Sequence, residues 1–204
     1  MRSRIRRRRS PQFLFPFLFL IGIGIVVVLA MQLWGFFFAP AKGNAYLYVV
    51  EGRTKVLSYG TTEWGNAYNG SKVMLGDSIK TPKNGKAVIK FYDGTLLRMG
   101  DDTQVTLVDI TRLSDHEEIN LNLDNGMIWV NKPKVVDLKK SEFVINTNYA
   151  SYNVTGTIFA IEKLASENLR VIQGKVRVDI TEKVDGKSRV IETIEPGVGQ
   201  ESNL

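Results

Sequence analysis

Residues Phe13 to Phe38, FLFPFLFLIGIGIVVVLAMQLWGFFF, run for 26 positions without a charge, and Gln32 is the only polar side chain among them. About 20 apolar residues suffice to cross ~30 Å of hydrocarbon as a helix, so the stretch predicts a transmembrane span. Pro16 falls in or before the first turn, where a missing N–H costs little, and this places the span at Phe17 to Phe38. Trp34 and Phe36 to Phe38 suit the far interface. Six arginines precede the span: Arg2, Arg4, Arg6, Arg7, Arg8 and Arg9. Lys42 is the only charge in the twelve residues after it. Positive residues stay on the cytoplasmic side, so the expected topology is N-terminus in and everything beyond residue 40 outside. The alternative is a cleaved signal peptide ending at Ala39-Pro40-Ala41, although its apolar region would normally be much shorter.

The same arginines account for the overall charge. The chain has 27 Lys+Arg against 21 Asp+Glu and a pI near 9.5, which suggests a nucleic-acid binder. From residue 10 onward, however, basic and acidic residues balance at 21 each, and the first acidic residue is Glu51. The excess belongs to a tail, and nucleic acid is not an expected partner. With no cysteine and one histidine, disulfide scaffolds, thiol nucleophiles and multi-His or Cys-based metal sites are excluded. No cofactor is expected.

The remaining residues read as strands. Ile119, Leu121 and Leu123 alternate with Asn120, Asn122 and Asp124; Val176, Val178 and Ile180 alternate with Lys175, Arg177 and Asp179. Ala87, Ile89 and Phe91 do the same, apart from the apolar Val88. Such alternation puts one face on a core and the other in water. Asn69-Gly70, Asn84-Gly85, Asp93-Gly94, Asn125-Gly126 and Asp185-Gly186 are hairpin-turn dipeptides. Gly156, inside an apolar run, predicts a bulge or a close backbone approach. Glu162 to Asn168 is the nearest approach to a helix outside the apolar stretch, and it is short. The expected organisation is a basic tail (1–12), a membrane anchor (13–38), a connector (39–44) and one β domain (45–204). The domain is expected to be all-β, an antiparallel, jelly-roll-like β-sandwich preceded by one transmembrane helix.

Three stretches stand out within residues 45–200. The first is Leu75-Gly76-Asp77-Ser78-Ile79-Lys80-Thr81, continuing through Asp93-Gly94-Thr95 to Leu97-Arg98-Met99-Gly100. The second is Leu123 with Asn125-Gly126-Met127-Ile128-Trp129-Val130. The third runs from Phe143 through Val154-Thr155-Gly156-Thr157-Ile158-Phe159 to Gly174, Val176, Val178 and Pro196-Gly197. Together they resemble the FecR domain family. Thr155 stands where the family usually has Arg, and Thr147-Asn148 where it commonly has Thr-Pro. The resemblance implies an extracytoplasmic β domain. Well-known members control a sigma factor through a cytoplasmic domain. About a dozen residues precede the span here, which disfavours that route.

The expectation is therefore a non-catalytic, membrane-anchored module that binds or senses another envelope protein or a cell-wall or surface polymer. Its other partner would be the lipid bilayer itself. An architectural role in an envelope complex is the alternative. Asp115-His116-Glu117-Glu118 invites a metal or acid–base reading, but neighbouring strand residues point to opposite faces, and a solvated loop is the expectation. Asp101-Asp102 reads as a turn. Tyr46 and Tyr48 share a strand face; Trp64, Tyr68, Tyr149 and Tyr152 lie near turns and are the candidate binding aromatics. Aromatics so placed more often cap the ends of a sandwich core, and that is the favoured expectation for them.

Overall fold

The computed structural model describes residues 22–25, 27–29, 31, 41–113, 115–134, 140–184 and 187–203, and the chain divides into two units, Met1–Pro40 and Ala41–Leu204. In the first unit, residues 22–25 and 27–29 are helical. Among the described residues no helix is long and apolar enough to cross a membrane. Most of the 13–38 stretch, and all six tail arginines, lie outside the described residues.

The second unit is all β. Its first strands are β1 (Ala41–Lys42), β2 (Ala45–Glu51), β3 (Lys55–Leu57), β4 (Gly65–Asn66), β5 (Ser71–Val73), β6 (Ser78–Lys80), β7 (Lys86–Phe91), β8 (Leu96–Met99) and β9 (Gln104–Arg112). There follow β10 (His116–Asn131), β11 (Lys140–Asn146), β12 (Ala150–Val154), β13 (Ile158–Lys163), β14 (Glu167–Gln173), β15 (Val176–Val184), β16 (Lys187–Ile194) and β17 (Glu201–Asn203). They form a curled sheet with two halves. One half pairs in the order β4-β3-β6-β9-β10-β11-β12-β15-β16, with β1 on the far end of β9. The other runs β5-β2-β7-β8-β10-β13-β14-β17. Only β10–β11 is parallel among the described pairings.

β10 belongs to both halves, and its sequence shows how. Glu117, Ile119, Leu121 and Leu123 face the core at odd positions; Gly126, Ile128 and Val130 face it at even ones. A one-residue slip would turn the whole apolar set outward unless a bulge absorbs it. The register against β9 shifts between Leu123 and Asn125, and Gly126 takes φ 95°. Asn125-Gly126 is therefore no hairpin turn, which corrects the sequence reading. The strand bends there and continues, leaving β9 and β11 for β8 and β13.

Of the other dipeptides one closes a hairpin, and Asn69-Gly70 and Asn84-Gly85 turn the chain between strands that pair elsewhere. Asp93-Gly94 joins β7 to β8, with Gly94 at φ 84°. Asn69-Gly70 is a turn before β5, and Asn84-Gly85 one before β7. Asp185-Gly186 lies outside the described residues. Gly156 sits in a bend between β12 and β13 at φ 62°, and a Cβ there would lie 2.8 Å from Lys134 Cβ. The helix-like Glu162 to Asn168 is the β13–β14 hairpin, a correction that follows from the pairing of Lys163 with Glu167. The connector at 39–44 is also more than a linker. Ala41 and Lys42 pair with Arg112 and Thr111, and Gly43 N–H donates to Ile110 O at 3.1 Å. A Cβ on Gly43 would fall 2.1 Å from the Tyr92 ring, so only glycine passes there.

The core lies between the two halves. Leu47, Ile89 and Leu97 from one half meet Leu121, Ile145 and Val178 from the other, all fully buried. Phe91 and Phe143 meet edge to face at 6.1 Å between ring centres. Full burial of one such side chain contributes about 1.5–3 kcal/mol, so the core needs no disulfide.

Candidate functional site

The recurring Asp and Thr motifs turn out to be internal ties. Asp77 accepts from the backbone N–H of Tyr59 and of Met74, both at 2.9 Å, and so closes the loop ahead of β6. Thr81 is fully buried; its hydroxyl donates to Gly100 O at 2.6 Å and accepts from Thr103 N–H at 3.0 Å. In the Asp93-Gly94-Thr95 turn, the carboxylate accepts from Thr95 N–H at 2.9 Å and from its hydroxyl at 2.6 Å.

Asp93 also does something the sequence does not announce. Lys132 Nζ lies 2.6 Å from Asp93 Oδ2, 3.1 Å from Glu117 Oε1 and 3.2 Å from Ser141 Oγ. Ser141 completes the group by donating to Glu117 at 2.7 Å. The Lys132, Asp93 and Glu117 side chains are between 1% and 5% exposed. This closed, internally satisfied cluster has no room to work on a substrate; it locks β7, β10 and β11 together.

Tyr152 is a second internal tie. As a candidate binding aromatic it is corrected by the structure: it is fully buried, and its hydroxyl donates to Glu167 Oε1, which also accepts from Thr147 Oγ1 at 2.8 Å. It points inward because its position in β12 carries the core phase of Ala150 and Val154. Burial first, and the Glu167 hydrogen bond second, push the Tyr152 pKa well above the ordinary phenol range. Burial, with the charges of Glu117 and Asp93, does the same to Tyr92, whose hydroxyl donates to Thr111 O at 2.7 Å. A pKa raised on folding contributes stability that is complete below the unfolded value, about 10 for Tyr, and is lost above it. Thermal midpoints of the Tyr152→Phe and Tyr92→Phe variants are therefore expected to fall less steeply than the parent's as pH rises beyond about 10.

The Asp115–Glu118 stretch is not a loop from His116 onward: β10 begins there. Alternation still separates the side chains: Glu117 points inward to Lys132 while His116 and Glu118 share the other face. A second strand adds a neighbour that alternation within β10 does not reveal. Glu118 lies opposite Glu142 across the parallel β10–β11 pair, so His116, Glu118 and Glu142 offer ligand atoms within 4.8 Å of one another. Lys140 already holds Glu142 at 2.8 Å, and His116 Nε2 lies 3.7 Å from Glu118. Among the described residues the buried His116 Nδ1 has no hydrogen-bond partner of the kind that orients a metal-ligating imidazole. The arrangement fits a partly charge-balanced surface cluster better than a built metal centre. Asp101-Asp102 is a turn, with Asp102 at φ 43°.

The remaining aromatics divide by exposure. Tyr68 and Tyr149 are 72% and 57% exposed, so they do not cap the core. Tyr46 and Tyr48 stand on the outer face of β2. Tyr48 pairs with Val88, Val88 with Arg98, and Arg98 with Trp129, so one outer row crosses four strands. In it the Arg98 guanidinium lies 4.3 Å over the Trp129 ring. Trp64 is half-buried and lines an open groove of about 300 Å³ with Arg53, Lys55, Lys80 and Pro82. The structure brings none of the candidate aromatics together; it gathers cations around Trp64 instead. Nothing in the linear sequence signalled this, because the groove's residues come from three separate segments.

Two crystal structures described as a "putative anti-sigma factor" from Parabacteroides distasonis ATCC 8503 are similar to the chain, each with a TM-score of 0.48 and 17% identity. Each match covers 62% of this chain and 54% of the other, so the likeness spans about half of that protein. No curated protein matches. The family model for "FecR protein" matches residues 77–177, from the Asp77 loop tie through the Asp93-Gly94-Thr95 turn, the bent β10 and Gly156 to the start of β15. Over residues 77–177 the chain carries a FecR domain.

Proposed function

We propose that the chain is a single-pass protein of the cytoplasmic membrane with its N-terminus inside. Its FecR domain, a jelly-roll-like β-sandwich, lies on the extracytoplasmic side as a non-catalytic module that binds or senses another envelope protein or a surface polymer. The observation that carries the reading is the order of parts. Six arginines and 26 uncharged residues are followed by a charge-balanced FecR-family β unit. The Lys132 and Tyr152 clusters of that unit are consumed internally, whereas Tyr46, Tyr48, Tyr68 and Tyr149 are exposed, and Arg53, Lys55 and Lys80, without an ion-pair partner among the described residues, line an open groove. A FecR-type transmembrane regulator is the second reading, favoured by the family match at 77–177.

Two measurements test the proposal. Protease added outside intact spheroplasts is expected to remove the β unit and leave an N-terminal fragment; degradation only after lysis would overturn the topology. A photocrosslinker at exposed Tyr68 or Tyr149, used in native membranes, is expected to capture a discrete envelope partner. Uniformly empty crosslinks at both positions and at Trp64 would count against a binding module.

A further inference from the structure

We propose that the Trp64 groove binds a carboxylated sugar unit of an acidic polysaccharide, with the indole against the ring and Arg53, Lys55 and Lys80 around the carboxylate. The proposal deepens the binding-module reading by naming a ligand class. It does not depend on which side of the membrane the domain occupies.

The first observation is an electrostatic cost. Lys55 and Lys80 lie directly opposite each other across β3 and β6, and both are exposed. Like charges in that relation destabilise a sheet. Arg53 adds a third positive charge to the same groove. Among the described residues none of the three has an ion-pair partner, whereas the exposed Lys86 and Arg170 are matched by Glu51 and Glu201. The next residue along the row is Gln104, opposite Lys80. It donates to Asp124 at 3.1 Å, and that carboxylate also accepts from Thr106 at 3.1 Å. The row across β3, β6 and β9 therefore concentrates positive charge, and the carboxylate beside its end, Asp124, is engaged by Gln104 and Thr106. An anionic ligand would remove the repulsion.

The second observation is the apolar wall. Trp64 and Pro82 share the groove with the cations. A bare phosphate would use the charges and leave the indole idle. The space of about 300 Å³ holds one unit of a polymer, and an Asp or Glu side chain there would meet the charges but offer no flat apolar face to the indole. A pyranose ring bearing a carboxylate uses both features, because its C–H face packs on an aromatic ring while the anion meets the cations.

The third observation is that the walls are held in place before any ligand arrives. Ala67 N–H donates to Thr54 O at 2.9 Å, tying the segment beyond β4 to the start of β3. Gly52, at φ 76°, brings its backbone against Pro82 and Gly85 so closely that a Cβ would lie 3.0 Å from the proline ring. A preformed site loses less conformational entropy on binding.

The test uses the full chain in an uncharged detergent, titrated by calorimetry with galacturonic acid oligomers, neutral galactose oligomers, oligoglutamate and inorganic phosphate. The acidic oligosaccharide is expected to bind tightest. Trp64→Ala and the double variant Lys55→Ser/Lys80→Ser should each weaken it by about tenfold or more. Lys90→Ser, on another face, should leave it unchanged. Trp64→Phe keeps an aromatic face, is expected to retain most of the affinity, and guards against a fold defect in the alanine variant. The proposal is overturned if no oligogalacturonate binding is seen, or if the neutral oligomer, oligoglutamate or phosphate binds as tightly. Unchanged affinity in a folded Trp64→Ala protein overturns it as well. Any of these results, obtained alongside a crosslinked membrane partner, would remove the glycan and leave the binding-module reading standing.

Discussion

Replacing Lys132 with methionine is expected to cost about 3–5 kcal/mol of stability, the usual consequence of removing one partner from a buried ion pair. Lys132 is surrounded by Asp93, Glu117 and Ser141 at 2.6 to 3.2 Å, and the side chains of both acids are almost wholly out of water. Methionine fills nearly the same volume, so the loss would come from two stranded carboxylates and not from a cavity. Chemical unfolding of the full chain reads it. The triple variant Lys132→Met/Asp93→Asn/Glu117→Gln separates the terms: without formal charges to strand, it should recover much of the loss. A cost below about 1 kcal/mol for the single variant would place the cluster in water and remove its role as the lock between β7, β10 and β11.

The strand content was legible because most of this domain has one wet and one dry side, and period-2 alternation reports that directly. Ile119, Leu121 and Leu123 are inside as their spacing predicts, and so are Val176 and Val178. Asp93-Gly94 was legible as a turn for a local reason, the positive φ that glycine tolerates. The unread features depend on a second strand. Lys132 gives no sequence signal for burial, because its two acid partners lie 39 and 15 residues earlier. Glu142 meets His116 and Glu118 only through a parallel pairing that no local pattern encodes. The cations around Trp64 likewise come together only when β3 and β6 pair. Tyr152 differs again: nearness to a turn leaves both a binding and a core role open, while its strand phase, shared with Ala150 and Val154, points inward.

Asn125-Gly126 is the most instructive of these positions, and Gly126→Ala is the second large effect expected. The dipeptide is a strong hairpin signal, and the apolar phase changes across it, as it would across a turn. A bulge produces the same phase change while the chain keeps its direction. The choice between them rests on Gly126 itself, at φ 95° and packed so that a Cβ would fall 2.5 Å from Thr103 Cα and 2.3 Å from its hydroxyl. That hydroxyl accepts from Met127 N–H at 3.0 Å and donates to Asp101 O at 3.0 Å, so it cannot move aside without breaking both bonds. Left-handed strain of about 1–3 kcal/mol and overpacking of about 1–3 kcal/mol should combine to roughly 3 kcal/mol or more. Gly60→Ala supplies the control: Gly60 has φ 78° but nothing within 4 Å of its missing Cβ, so it should cost only about 1 kcal/mol from strain. Equal losses at the two sites would mean that β10 relaxes around the methyl group. A markedly larger loss at Gly126 would identify the close approach to Thr103 as what carries one strand through both halves of the sheet.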